Sequence, residues 1–239
     1  MKHIYTILAL IFLSILSCKV PTLLISENLK ENTTVLDVNG RQGWQFNQVI
    51  SFGDYVTSKI KKGWTRSTDF TFIARFKNAN KKRSFAQFGP NGSAEVFCVS
   101  KFKSSELDLL DGFLSVPLDY ENYFAGSILM DDNAEGEWDF IIYNPEGDIT
   151  EELKCGKIED QKGNTILING IRKLENQSTL FAFENYGFEF LYQGEVIGAV
   201  STLNNGKVWI KNSIDYNFQL VIASVSTSLL VRENLKDSF

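Results

Sequence analysis

The sequence predicts a mainly β protein, an antiparallel β-barrel or sandwich with a buried hydrophobic C-terminal helix. Three observations carry that expectation. Apolar residues recur at period two, most plainly in Asp69–Phe76, where Phe70, Phe72, Ala74 and Phe76 share one face, the pattern of a half-buried strand. Short runs of this kind are punctuated by turn signals at Asn39-Gly40, Gly53-Asp54, Gly89–Gly92, Asn169-Gly170, Gln193-Gly194 and Asn204–Gly206, a spacing typical of all-β folds. The stretch from Tyr216 to Arg232 is apolar on nearly every side, so a helix there must be buried. Its length suits a core helix rather than a membrane span, which needs about 20 apolar residues.

Met1–Ser17 has Lys2 and His3 followed by the apolar run Ile4–Leu16, a basic start and a short hydrophobic region as in signal peptides. It ends in Ile15-Leu16-Ser17-Cys18, which resembles the lipobox of bacterial lipoproteins. The resemblance implies cleavage after Ser17, diacylglycerol on the Cys18 sulfur and an acyl chain, such as palmitate, on the new amino terminus. Two or three acyl chains anchor a protein stably, since each buried CH₂ contributes about 0.8 kcal/mol. Lys19 stands where an aspartate marks inner-membrane retention in enteric bacteria, which leans to the outer membrane, facing the periplasm. Residues 18–34 read as the lipidated cysteine and a short tether, either linker or surface arm, and 35–239 as one β-rich domain.

Within that domain the expected strands, in order, are Val35–Val38 before the Asn39-Gly40 turn, a segment marked by Trp44, Phe46, Val49 and Phe52, then Tyr55–Ile60, Asp69–Phe76, Ser84–Phe88 and Ala94–Phe102. Leu107–Leu118 is ambiguous. Phe124–Met130, Trp138–Tyr143, Thr165–Ile168, Ile171–Leu174, Leu180–Phe183, Tyr186–Tyr192, Val196–Ser201 and Lys207–Ile210 continue the series, with Asn169-Gly170 read as a hairpin turn. Asp215 is positioned to cap the closing helix at about 216–232.

Composition narrows the chemistry. The formal charge is −5, which disfavours nucleic acid as a partner, since that requires a basic footprint. The one histidine is His3, within the signal. The mature chain therefore lacks the commonest general acid–base group and zinc ligand, which excludes histidine-dependent hydrolases. The sequence contains no glycine-rich phosphate loop, G-x-S-x-G elbow or CxxC, and it implies no cofactor. With Cys18 lipidated, Cys98 and Cys155 are left, either as a disulfide permitted by an oxidising compartment or as two buried thiols.

Basic residues cluster at Lys59, Lys61, Lys62 and Arg66 and again at Lys77, Lys81, Lys82 and Arg83, beside Trp64 and Phe85. They are candidates for contact with an anionic surface, or they are solvated hairpin ends. Asp131–Glu137 crowds acidic groups round Gly136, but Ile142 stands where an EF-hand needs its glutamate, so no metal site is assigned. Asp139, Glu146, Asp148, Glu151 and Glu152 supply carboxylates of the kind glycosidases pair. Trp44, Trp64, Trp138 and Trp209 could line a sugar groove, although strand aromatics usually serve the core.

The succession of hairpins, the segment Phe188–Gly198 and the hydrophobic C-terminal helix together resemble the layout of the tubby-like superfamily, which includes LURP-one-related proteins and phospholipid scramblases. That resemblance covers about Val35 to Val231. It implies a closed barrel with an apolar helix threaded through it, and it transfers no functional residue. The expected function is an envelope lipoprotein with a non-enzymatic binding or structural role, partnered by an envelope protein or anionic lipid. The alternatives are a lipid-handling barrel and a glycan-active enzyme with paired carboxylates.

Overall fold

A computed structural model of the chain describes residues 21–41, 48–63, 82–100, 122–131, 136–145, 147, 154–175 and 184–232. Side chains alternate in direction along the long strands, and the central strands are buried on both faces. In β8 (Glu137–Tyr143), Trp138, Phe140 and Ile142 turn toward the helix side, while Asp139 and Ile141 turn the other way. The other strands are β1 (Leu36–Asp37), β2 (Ser51–Phe52), β3 (Tyr55–Thr57), β4 (Lys61–Lys62), β5 (Lys82–Gly89), β6 (Gly92–Ser100), β7 (Tyr123–Met130), β9 (Lys154–Asp160), β10 (Thr165–Ile171), β11 (Gly187–Tyr192), β12 (Glu195–Ser201) and β13 (Lys207–Ile210). Every pairing is antiparallel.

Twelve strands follow one path, β1-β13-β12-β11-β10-β9-β8-β7-β6-β5-β3-β2, and β4 continues the line of β3 along the edge of β5. The path then turns back on itself. Asn39, just past β1, and Ser51 of β2 exchange backbone hydrogen bonds of 2.8 and 3.2 Å, so the sheet nearly closes into a barrel. Of the two architectures open from sequence, the barrel is the one formed, and closure removes the exposed edges a sandwich would leave.

The helix α2 (Tyr216–Val231) fills the lumen. Gln219 to Leu230 are buried without interruption. The helix meets strands from all round the wall: Phe218 packs its ring on Trp138 of β8 and Tyr192 of β11, Gln219 bonds Tyr55 of β3, and Thr227 bonds Gln87 of β5. On β12, Gly198 leaves room that a Cβ would take, since it would stand 2.7 Å from Ile222. A helix is about 10 Å across with its side chains, and an eight-stranded barrel is filled by side chains alone, so the larger strand number is what admits it. No helix among the described residues is long and apolar enough to cross a membrane.

Several expectations change. Asn169-Gly170 does not turn; β10 continues through it, paired with β11 from Ile166↔Tyr192 to Ile171↔Gly187, with a register shift against β9 between Ile168 and Asn169. The glycine serves close approach instead, because a Cβ on Gly170 would lie 2.3 Å from Asn185 Oδ1. The hairpin turn lies earlier, where Asp160 accepts from the backbone of Lys162 and Asn164, and β9 precedes it in a charged stretch without apolar alternation. Asn39-Gly40 likewise makes no two-residue hairpin; β1 pairs with β13 at the far end of the chain. Asp69–Phe76, Leu107–Leu118 and Leu180–Phe183 lie outside the described residues.

The amino-terminal segment is an arm rather than a free tether. Leu24 N–H donates to Lys173 O at 3.0 Å and Glu175 N–H to Thr22 O at 2.8 Å. The short helix α1 (Glu27–Asn32) follows. Leu23, Ile25 and Leu29 bury themselves with Ile171, Leu174, Ala199 and Trp209, forming a second core on the outside of the wall.

Candidate functional site

The antiparallel course gives the barrel two distinct mouths. At the mouth where α2 enters, strands join by short turns at Gly53-Asp54, Pro90-Asn91, Asp160–Asn164 and Gln193-Gly194. At the mouth where α2 leaves, the chain departs on its longer connections, after β4, β6, β8 and β10.

Part of the predicted basic cluster gathers at the exit mouth. Lys61 and Lys62 on β4 stand opposite Ser84 and Arg83 on β5, with Lys82 next in line. The backbone knits this corner: Gly63 N–H donates to Lys82 O at 3.0 Å and Ser84 Oγ to Gly63 O at 2.9 Å. Lys59, Lys61 and Lys62 are exposed, while Lys82 and Arg83 are half-buried. Two segments twenty residues apart in sequence thus present one basic edge. Arg66, Lys77 and Lys81 lie outside the described residues, as do Cys18, Trp44 and Trp64.

Arg41, which sequence reasoning passed over, locks the same mouth. Its Nε donates to Leu230 O at 2.9 Å, and its Nη1 to Thr202 O at 2.6 Å and Asn204 O at 2.8 Å. One guanidinium ties the end of α2 to the β12–β13 turn, and a cation there complements the negative end of the helix dipole. Burial, and then Arg232, hold its pKa below the usual arginine value. A lone arginine after a turn dipeptide carries no pattern that could have marked it.

The entry mouth holds a cavity of about 120 Å³ lined by Tyr55, Asn91, Asp131, Tyr216, Asn217 and Leu220 among others. Its polar floor is internally engaged. Tyr55 OH donates to Gln219 Oε1 at 3.1 Å, Gln219 Nε2 donates to Ile214 O at 3.0 Å, and Ser93 Oγ donates to Asp131 Oδ2 at 2.5 Å. Burial, helped by Asp54, raises the Tyr55 pKa. Asp215 Oδ1 accepts from Asn217 N–H at 2.8 Å, capping α2 as expected.

Cys98 and Cys155 are buried free thiols, so the permitted disulfide is not made. They sit on β6 and β9, three strand spacings or roughly 14 Å apart along the sheet, whereas a bridge needs Cα atoms within about 7 Å. Cys98 lies in register with Ile158, through Gly126 and Phe140, which sets Cys155 farther off along β9. Burial pushes both thiols up to about 12. Of the acidic stretch, Asp131 and Glu137 are described, and no group of three His, Cys, Asp or Glu among the described residues is placed to hold a metal. Asp139, the one described member of the carboxylate set, is 5 % exposed on β8, opposite Glu159, which takes a 2.8 Å ion pair from Lys157. Trp138 lines the lumen and Trp209 lies beneath the arm.

Comparison with protein-family models, with curated proteins and with solved structures finds no match to this chain.

Proposed function

We propose that the chain is a lipid-anchored protein of the bacterial envelope with a non-enzymatic binding or structural role, held by acyl chains on Cys18 at the outer membrane and facing the periplasm. The observation that carries this reading is the arm. The lipobox-like residues lead, four positions past Cys18, into a backbone ladder on Lys173–Glu175. The anchor therefore joins a docked segment and not a long spacer. The lumen supports a role at the outer surface, because α2 and the wall residues facing it occupy the interior.

A lipid-handling role of the tubby-like kind is the second reading. The helix-filled barrel and the basic edge of β4 and β5 favour it. A glycan-active site is the weakest of the three, because Asp139 is buried and its neighbour Glu159 is engaged by Lys157.

The test is metabolic labelling of the full chain with an alkyne palmitate analogue, together with envelope fractionation. The wild type is expected to take the label and sediment with outer membranes, and Cys18→Ser to lose both. A labelled Cys18→Ser protein, or an unlabelled wild type, would sink the proposal.

A further inference from the structure

The anchor reading fixes where the lipid sits on the chain, and the barrel fixes which end of the molecule that is. Resting on that reading, we infer that the barrel stands end-on to its membrane, with the exit mouth of α2 and the basic edge of β4 and β5 against anionic headgroups, and the entry mouth turned away.

Two independent observations carry this. The first is reach. Cys18 to Thr22 is four residues, at most about 14 Å of extended chain, and Thr22 is bonded to Glu175. Glu175 lies four residues past Ile171, the last residue of β10, and β10 ends at the exit mouth, where Ile171 pairs with Gly187 at the start of β11. Wall strands such as the nine-residue β6 span roughly 30 Å, so the entry mouth lies farther from the lipid than the tether is long.

The second is charge. Among the described residues, Lys61, Lys62, Lys82, Arg83, Arg172 and Lys173 stand at the exit mouth against Glu175 and Glu184, where Lys30 takes up Glu175 at 2.5 Å and Lys207 lies 3.9 Å from Asp37. The entry mouth carries Asp54, Asp131, Asp160, Glu195 and Asp215 against Lys162 and Lys211, and Lys211 is paired with Glu195. Basic groups near an anionic bilayer attract it within a Debye length, about 8 Å at physiological salt. Acidic groups at the same distance are repelled. The tether and the charges therefore select the same end.

The experiment uses the full lipidated chain in phosphatidylethanolamine vesicles, with and without phosphatidylglycerol. A nitrobenzoxadiazole fluorophore is carried on Lys61→Cys at the exit mouth or on Asn91→Cys at the entry mouth. Cys98 and Cys155 are buried in the folded protein and do not compete for the dye. Quenching by headgroup-spin-labelled lipid is expected to be severalfold stronger for the Lys61→Cys label, and the contrast is expected to grow with phosphatidylglycerol and shrink at high salt. Equal quenching, or stronger quenching of the Asn91→Cys label, overturns the orientation. A contrast indifferent to phosphatidylglycerol and salt overturns the headgroup contact. Flotation and the mass of the amino-terminal peptide are read in the same samples. Floating, acylated protein with the wrong contrast defeats the orientation alone, whereas protein with no lipid on Cys18 defeats the anchor reading and the orientation with it.

Discussion

Glu189 shows how a single side chain on the outer wall couples the arm to pH. Its Oε1 accepts the Ser26 N–H at 2.8 Å, and burial raises its pKa, partly offset by that hydrogen bond. A carboxylate raised in the folded state binds its proton more readily there than in the unfolded chain. The associated stability is present at low pH and is lost as pH rises through the folded value. Glu189→Gln keeps an acceptor for Ser26 without the charge. It is expected to raise the melting temperature at pH 7 and to do so less at pH 4, as read by calorimetry across that range. An unchanged difference at both pH values would show that the charge is not the cause. At the same scale, Cys98 and Cys155, pushed up to about 12 by burial, hold negligible thiolate at pH 8. Peptide mapping after iodoacetamide treatment should find both unmodified in the native protein and both modified in denaturant.

At the scale of elements, α2 is the part of the fold most legible in the sequence and the part with the sharpest consequences. Its serines and threonines blur any amphipathic stripe. The structure explains why they are tolerated: Ser224 and Ser228 donate back to Leu220 O and Ser224 O at 2.8 and 2.9 Å, and Thr227 donates to Gln87 Oε1 at 2.7 Å. Val225 is fully buried, so Val225→Asp would place a charge in the lumen and is expected to prevent folding. A soluble variant that melts cooperatively would contradict the enclosed helix. Thr227→Val has nearly the same shape but leaves Gln87 short of a donor, and it should cost about 1–2 kcal/mol by urea denaturation.

The long strands β5 to β8 and β11 to β13 were legible for the same reason as the helix, because their burial pattern is written in residue type. What was not legible obeys other physics. β9 sets Cys155, Gly156 and Ile158 among four charged residues, which leaves no apolar period-two run, and Gly170 reads as a turn glycine until Asn185 is seen to occupy its missing Cβ. Of the candidate basic contact, composition gave the members, while the β4–β5 register that joins Lys62 to Arg83 is a tertiary fact. Arg41 was invisible because its partners are backbone carbonyls 161 to 189 residues away.

At the scale of the whole molecule, Arg41 is the place to test closure. Arg41→Met keeps the aliphatic stem and removes the donors to Leu230, Thr202 and Asn204. Hydrogen bonds to charged groups contribute about 1.5–3 kcal/mol. A loss of about 2–3 kcal/mol is therefore expected, with hydrogen exchange quickening first at β1, β13 and the last turn of α2. Uniform quickening across the barrel would mean that Arg41 holds no particular join.

The closure of the barrel also has a consequence in time. From β2 to β13 almost every strand lies beside its neighbour in sequence, and the pairing of β1 with β13 is the long-range exception. The helix that fills the lumen follows all the strands in the chain. A wall that sealed before residues 216–231 were in place would shut its own core outside. Asn39 and Ser51 lie close in sequence, so the β1–β13 pairing is the join that must form last, and until then its two unpaired edges lie open to any other copy emerging nearby.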